Sequence, residues 1–69
     1  MKHNNLVLYL YNGPVSRFGR LVQEEYIGYT YASSEKQAYN NIKSRWKKDH
    51  GYLQNTVVEL PGKLEVING

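Results

Sequence analysis

The chain has 69 residues, a net charge of +3 and no cysteine. A chain of that length forms one domain, 1–69, with a small core, and the missing thiols exclude disulfide support and cysteine chemistry. His3 and His50 are the histidines, too few without cysteine for a structural zinc site, so neither a metal nor a cofactor is expected. The core must come from aliphatics and from seven tyrosines, Phe18 and Trp46. A dimer would be a second route to stability, because it buries surface that one small protomer cannot.

In chain order, Met1–Asn5 is a polar lead-in. Residues 6–11, Leu6-Val7-Leu8-Tyr9-Leu10-Tyr11, are strand formers and stop at Asn12-Gly13-Pro14, a turn signal. Alternation puts Leu6, Leu8 and Leu10 on one side and Val7, Tyr9 and Tyr11 on the other. The leucine side is expected to face the core and the tyrosine side to form the outer face of a sheet. Strands are predicted over 16–22 and 26–32, as one long bent strand or as two joined by a tight turn. Gly19 is read as a bulge and Gln23-Glu24-Glu25 as the polar break. In 26–32, Ile27, Tyr29 and Tyr31 share one face and Tyr26, Gly28 and Thr30 the other, so both faces carry rings.

Residues 34–50, SEKQAYNNIKSRWKKDH, predict the one amphipathic helix. Ala38, Ile42 and Trp46 recur every four residues as an apolar stripe, and Lys36, Asn40, Lys43 and Lys47 lie opposite. Ser34 with Gln37 fits a capping box, and Gly51 fits a left-handed C-terminal stop. Glu35 suits the positive end of the helix dipole, and Lys47 and Lys48 suit the negative end. After the helix, 51–55 reads as a loop and 56–60 and 63–67 as strands around Pro61-Gly62, in the manner of a hairpin. The expected fold is α+β: a small antiparallel sheet of three to five strands against a single helix, in the order β-β-(β)-α-β-(β).

The charge is concentrated. Residues 34–50 carry five positive and two negative side chains, against three and two in 1–33 and one and two in 51–69. A basic helix suits an anionic partner such as nucleic acid, and equally a solvated face that keeps a small protein soluble. The initial apolar run of six residues is short for a signal peptide or a membrane span, so a cytoplasmic protein without a membrane partner is expected.

The stretches YNGPVSRFG, GYTYASSEKQAYNNIKSRWKK and LPGKL resemble short uncharacterised proteins encoded in phages and integrated elements of Gram-positive bacteria. An aromatic-GPV-xx-FG turn and a TYA-x-SEK helix start recur in them. The resemblance implies an accessory protein of a mobile element and carries no assigned activity or residue roles. In plan, three strands on one helix are also similar to the arm-binding domains of some integrases, which read DNA with the sheet; here strand-like sequence follows the helix as well.

No catalytic signature is present. Ser16, Ser33, Ser34 and Ser44 have no histidine nearby in sequence. Asp49 and His50 are neighbours that point about 100° apart on a helix. Glu24 and Glu25 face opposite ways on an extended chain, and the six glycines are scattered singly rather than in a phosphate loop. The expectation is therefore a non-enzymatic binding protein. The first reading is nucleic-acid binding, with Lys36, Lys43, Lys47, Lys48, Arg17 and Arg20 on phosphates and Tyr9 and Tyr11 as a stacking platform. The alternative is a protein-binding module, a homodimer or an inhibitor of a host protein, that uses an exposed aromatic sheet face or edge.

Overall fold

The computed structural model describes residues 6–67. Its elements are β1 (Val7–Arg17), β2 (Arg20–Ala32), α1 (Glu35–Asp49) and β3 (Leu64–Ile67). They build an antiparallel sheet in the order β2-β1-β3, with α1 lying along one face. The α+β class and the single helix are those expected. The lead-in at Met1–Asn5 lies outside the described residues.

The first hairpin is longer than the punctuation in the sequence suggests. Asn12-Gly13-Pro14 does not turn: β1 runs through it, with Asn12 opposite Ile27 and Gly13 opposite Tyr26. The chain reverses instead at Phe18-Gly19, where Arg17 pairs with Arg20 and both central residues have positive φ, 52° and 78°. That is the handedness of a type I′ turn, whose twist matches the flanking strands. Gly19 is thus a turn residue and not a bulge, and 16–22 does not form a strand of its own. The bulges lie upstream. The pairing slips between Gly13 and Val15 and again between Val15 and Ser16. Each slip leaves an extra residue on β2, so the polar break at 23–25 is absorbed as irregularity in one bent strand. Pro14 sits inside the first slip, where a missing N–H breaks no ladder bond.

The predicted strand over 56–60 and its hairpin at Pro61-Gly62 are replaced by a different arrangement. Glu59 forms an isolated bridge to Ser16, and 64–67 pairs with 8–11 of the same strand, β1. Both pairings share one register, so 59–67 is a single interrupted edge along β1. In that register Pro61 falls opposite Pro14, and two residues without N–H groups cannot continue a ladder.

The face of β1 against the helix is the reverse of the expectation. Tyr9, Tyr11 and Val15 are buried with Ala38, Ile42 and Trp46, while Leu6 is exposed and Leu8 and Leu10 are partly exposed. The partners on β2 explain the choice. Tyr9 stands opposite Thr30, Tyr11 opposite Gly28 and Val7 opposite Ala32. Those small residues leave room for rings beneath a helix. Leu8 and Leu10 stand opposite Tyr31 and Tyr29, a pairing too bulky for the helix to approach. Gly28 makes the closest seat, since a Cβ there would lie 3.3 Å from Ile42 Cγ2.

Burial of Tyr11 requires a partner for its hydroxyl, and it has two. It donates to Pro14 O at 2.6 Å and accepts from Gly62 N at 2.9 Å. Burial pushes this phenol above its ordinary pKa, with the bond from Gly62 opposing the shift. Tyr39, edge-on to Tyr11, donates to Gly62 O at 2.8 Å. Two tyrosine hydroxyls thus replace the ladder bonds lost at the facing prolines.

The helix ends behave as their residues dictate. Ser34 Oγ accepts from Gln37 N, and the Gln37 side chain returns to Ser33 N. At the other end Gly51 N bonds Lys48 O and Tyr52 N bonds Lys47 O around Gly51 at φ 76°. This is a Schellman closure. Trp46 is buried, as the stripe predicts, and its Nε1–H donates to Gln23 Oε1 at 2.9 Å.

Candidate binding surfaces

The eight residues singled out from the sequence fall into four places. Tyr9 and Tyr11 are core residues, so the stacking platform proposed on them does not exist. A strand alternating Leu and Tyr does not by itself say which side is buried; the deciding signal is the small-residue row Gly28, Thr30 and Ala32 on the partner strand. Lys36 and Lys43 line one groove of about 510 Å³ with Glu35, Tyr39, Asn40 and Leu60. Lys48 is exposed on the last turn of α1, and Lys47 there donates from Nζ to Gln54 O at 2.6 Å. Arg17 and Arg20 meet as a pair at the β1–β2 turn, remote in sequence from the helix lysines.

That turn holds features the sequence reading passed over. Phe18 has a positive φ and is 72% exposed. A left-handed phenylalanine is strained, of the order of 1 kcal/mol or more. Leu21 and Val22 are exposed beside it and, with Arg17, Phe18 and Arg20, line a groove of about 390 Å³. The Arg17 guanidinium lies over the ring of Tyr52 at 4.8 Å, and Tyr52 stacks on Trp46 at 5.3 Å. Arg17 Nε is buried without a hydrogen-bond partner. Glu59 braces the turn from the far side: its Oε1 accepts from Ser16 Oγ at 2.9 Å and from Gly19 N at 3.1 Å. These two bonds hold the carboxyl below its ordinary pKa.

A second surface is the outer face of the sheet. With Tyr9, Tyr11, Gly28 and Thr30 turned inward, alternation turns Leu8, Leu10, Ile27, Tyr29, Tyr31 and Ile67 outward. Leu8 pairs with both Tyr31 and Ile67, and Leu10 with both Tyr29 and Glu65, so leucines run down the centre with rings on one flank. Ile27, Tyr29 and Tyr31 are each more than half exposed. The charged residue in the ladder of this face is Glu65, and Lys63 falls opposite Asn12 at its end in the shared register.

The free edge of β2 is partly closed by the helix. Arg45 Nη1 donates to Tyr29 O at 2.7 Å, and Asn41 Nδ2 reaches Thr30 Oγ1 at 3.2 Å and Tyr31 O at 3.5 Å. These side chains occupy carbonyls that an incoming strand would need.

The serines and His50 considered for catalysis have structural partners. Ser34 caps α1, Ser33 Oγ bonds Gln37, Ser44 Oγ bonds Gln54 and Ser16 bonds Glu59. The His50 ring stacks on Trp46 at 4.2 Å, with Nδ1 at 2.9 Å from Trp46 O. Among the described residues no three His, Asp or Glu side chains converge as a metal site, and no helix is long and apolar enough to cross a membrane.

No family model, curated protein or solved structure matches this chain.

Proposed function

We propose that the protein is a non-enzymatic binding module whose outer sheet face takes a protein partner, and that the partner is a second copy of the chain. One observation carries this reading: an apolar face of leucines, isoleucines and tyrosines that no element of the described chain covers. Contiguous exposed apolar surface of this kind marks an interface. The face carries little net charge, with Glu65 in the ladder and Lys63 one residue before the ladder begins, which suits an apolar protein contact better than a polyanion. A two-fold related copy would sandwich the two sheets about 10 Å apart, with leucines and tyrosines interleaved and the helices outside. A chain of 69 residues has a small core, and a second copy would add buried apolar area to it. The resemblance of its TYASSEK and GPVSRFG stretches to short phage-encoded proteins supports reading such a dimer as an accessory protein of a mobile element.

The test is solution mass across a concentration series. A dimer that Leu10→Lys converts to a folded monomer supports the reading. A wild-type chain that stays monomeric at the highest concentration rejects it.

A second reading, nucleic-acid binding, is supported by the groove of Lys36, Asn40 and Lys43 on α1. It has lost its tyrosines to the core, and Glu35 shares the groove. Anisotropy with duplex and single-stranded DNA tests it. Binding should weaken steeply with salt, and each lysine contact removed should lower the salt slope by about one.

A further inference from the structure

We propose that the end of the molecule at the β1–β2 turn docks on an anionic lipid surface. Three unfavourable features meet there. Arg17 and Arg20 stand directly opposite in the ladder, a like-charge pair that destabilises a hairpin. Phe18 between them holds a left-handed conformation that asparagine or glycine would adopt more easily. Its ring is 72% exposed, and Leu21 and Val22 beside it are exposed as well. Arg17 gains a contact over Tyr52, but nothing in the fold repays the strain and exposure of Phe18, and residues that break local rules together mark a site of use.

The same end gathers more of this chemistry. Strand β2 leads into the helix, which returns toward the turn: Trp46 bonds Gln23, and Tyr52 beyond the helix lies under Arg17. Lys48 therefore comes to this end exposed on the last helical turn, and Leu53, one residue past Tyr52, is 74% exposed. Arg17 Nε has no acceptor, and the bracing Oε1 of Glu59 is engaged by Ser16 and Gly19. Neither bond of that carboxylate goes to a guanidinium.

Cations around a projecting apolar tip fit a bilayer interface, where anionic headgroups meet the cations and the acyl boundary takes the apolar side chains. A nucleic-acid strand would use rings for stacking. Here Phe18 is the ring that projects, and the exposed side chains Leu21, Val22 and Leu53 around it are aliphatic and offer no stacking face, while Tyr52 packs between Arg17 and Trp46. The contact is with the surface and involves no span.

The experiment is co-sedimentation of the full chain with phosphatidylcholine vesicles, with and without phosphatidylserine. Binding should require phosphatidylserine and fall with salt, and Arg20→Ala should weaken it about fivefold. Phe18→Asn separates binding from folding. It should raise the unfolding midpoint, since Asn-Gly suits this turn, while weakening vesicle binding. Equal binding to both vesicle types, no binding to either, or unchanged binding by Phe18→Asn would overturn the proposal. So would binding of single-stranded DNA that Phe18→Asn abolishes while vesicles are ignored.

Discussion

The hydroxyl of Tyr11 accepts a hydrogen bond from the amide of Gly62 across 2.9 Å, joining the central strand to the one break in its edge partner. The same oxygen donates to Pro14 O, so one phenol spans the site where two prolines face each other. Gly62 is required by this approach: a Cβ there would lie 2.9 Å from the Tyr11 hydroxyl oxygen. Tyr11→Phe keeps the ring but leaves two polar groups unpaired, and should destabilise the fold by about 1–3 kcal/mol. Tyr31→Phe, on an exposed ring, should change stability by less than about 0.5 kcal/mol. Urea denaturation of the two variants makes the comparison.

Trp46 anchors the helix through the core cluster of Tyr11, Val15 and Ile42 and through its bond to Gln23. Trp46→Ala should cost about 3–5 kcal/mol. A domain of this size has little more in total, so the variant should be unfolded by circular dichroism at room temperature. Lys36→Ala, on the exposed side of the same helix, should leave the spectrum unchanged.

Glu59 makes the stability pH-dependent. Its folded pKa is lowered chiefly by the Ser16 hydroxyl and then by the Gly19 amide. A depressed carboxyl stabilises the fold above its unfolded pKa, and the contribution disappears as pH falls through the lower folded value. Glu59→Gln should therefore be less stable than wild type at neutral pH, and the gap should close as pH falls below the carboxylate range. A gap that stays constant down to acid pH would show that the carboxylate charge is not involved.

Arg45 and Asn41 hold carbonyls on the free edge of β2. Removing both, in Asn41→Ala with Arg45→Ala, should expose a strand edge that recruits other chains. Light scattering should rise with concentration in the double variant while the wild type stays clear.

The helix was legible because its signals agree: a period-four stripe, Ser34 with Gln37 at one end and Gly51 at the other all point to the same boundaries. The hairpin was not. Asn12-Gly13-Pro14 carries the local signature of a turn, yet Pro14 falls in a pairing slip where its missing N–H does no harm. Phe18-Gly19 turns instead, through a conformation phenylalanine disfavours. The separate strand at 56–60 failed for a related reason, since facing prolines interrupt an edge that otherwise follows one register. The inward face of β1 depended on Gly28, Thr30 and Ala32 across the ladder, information that alternation within β1 cannot hold. The surface sites followed from that error. Tyr9 and Tyr11 went from platform to core, and Leu8, Leu10, Tyr29 and Tyr31 became the open face.

The claim that this open face is where two copies meet is tested most directly by intermolecular NOEs in a mixed sample of labelled and unlabelled chains. Contacts between the methyls of Leu8 and Leu10 in one protomer and the rings of Tyr29 and Tyr31 in the other are the expected result. Intermolecular contacts confined to other surfaces, or none at a concentration where the helix and sheet are fully formed, would contradict it.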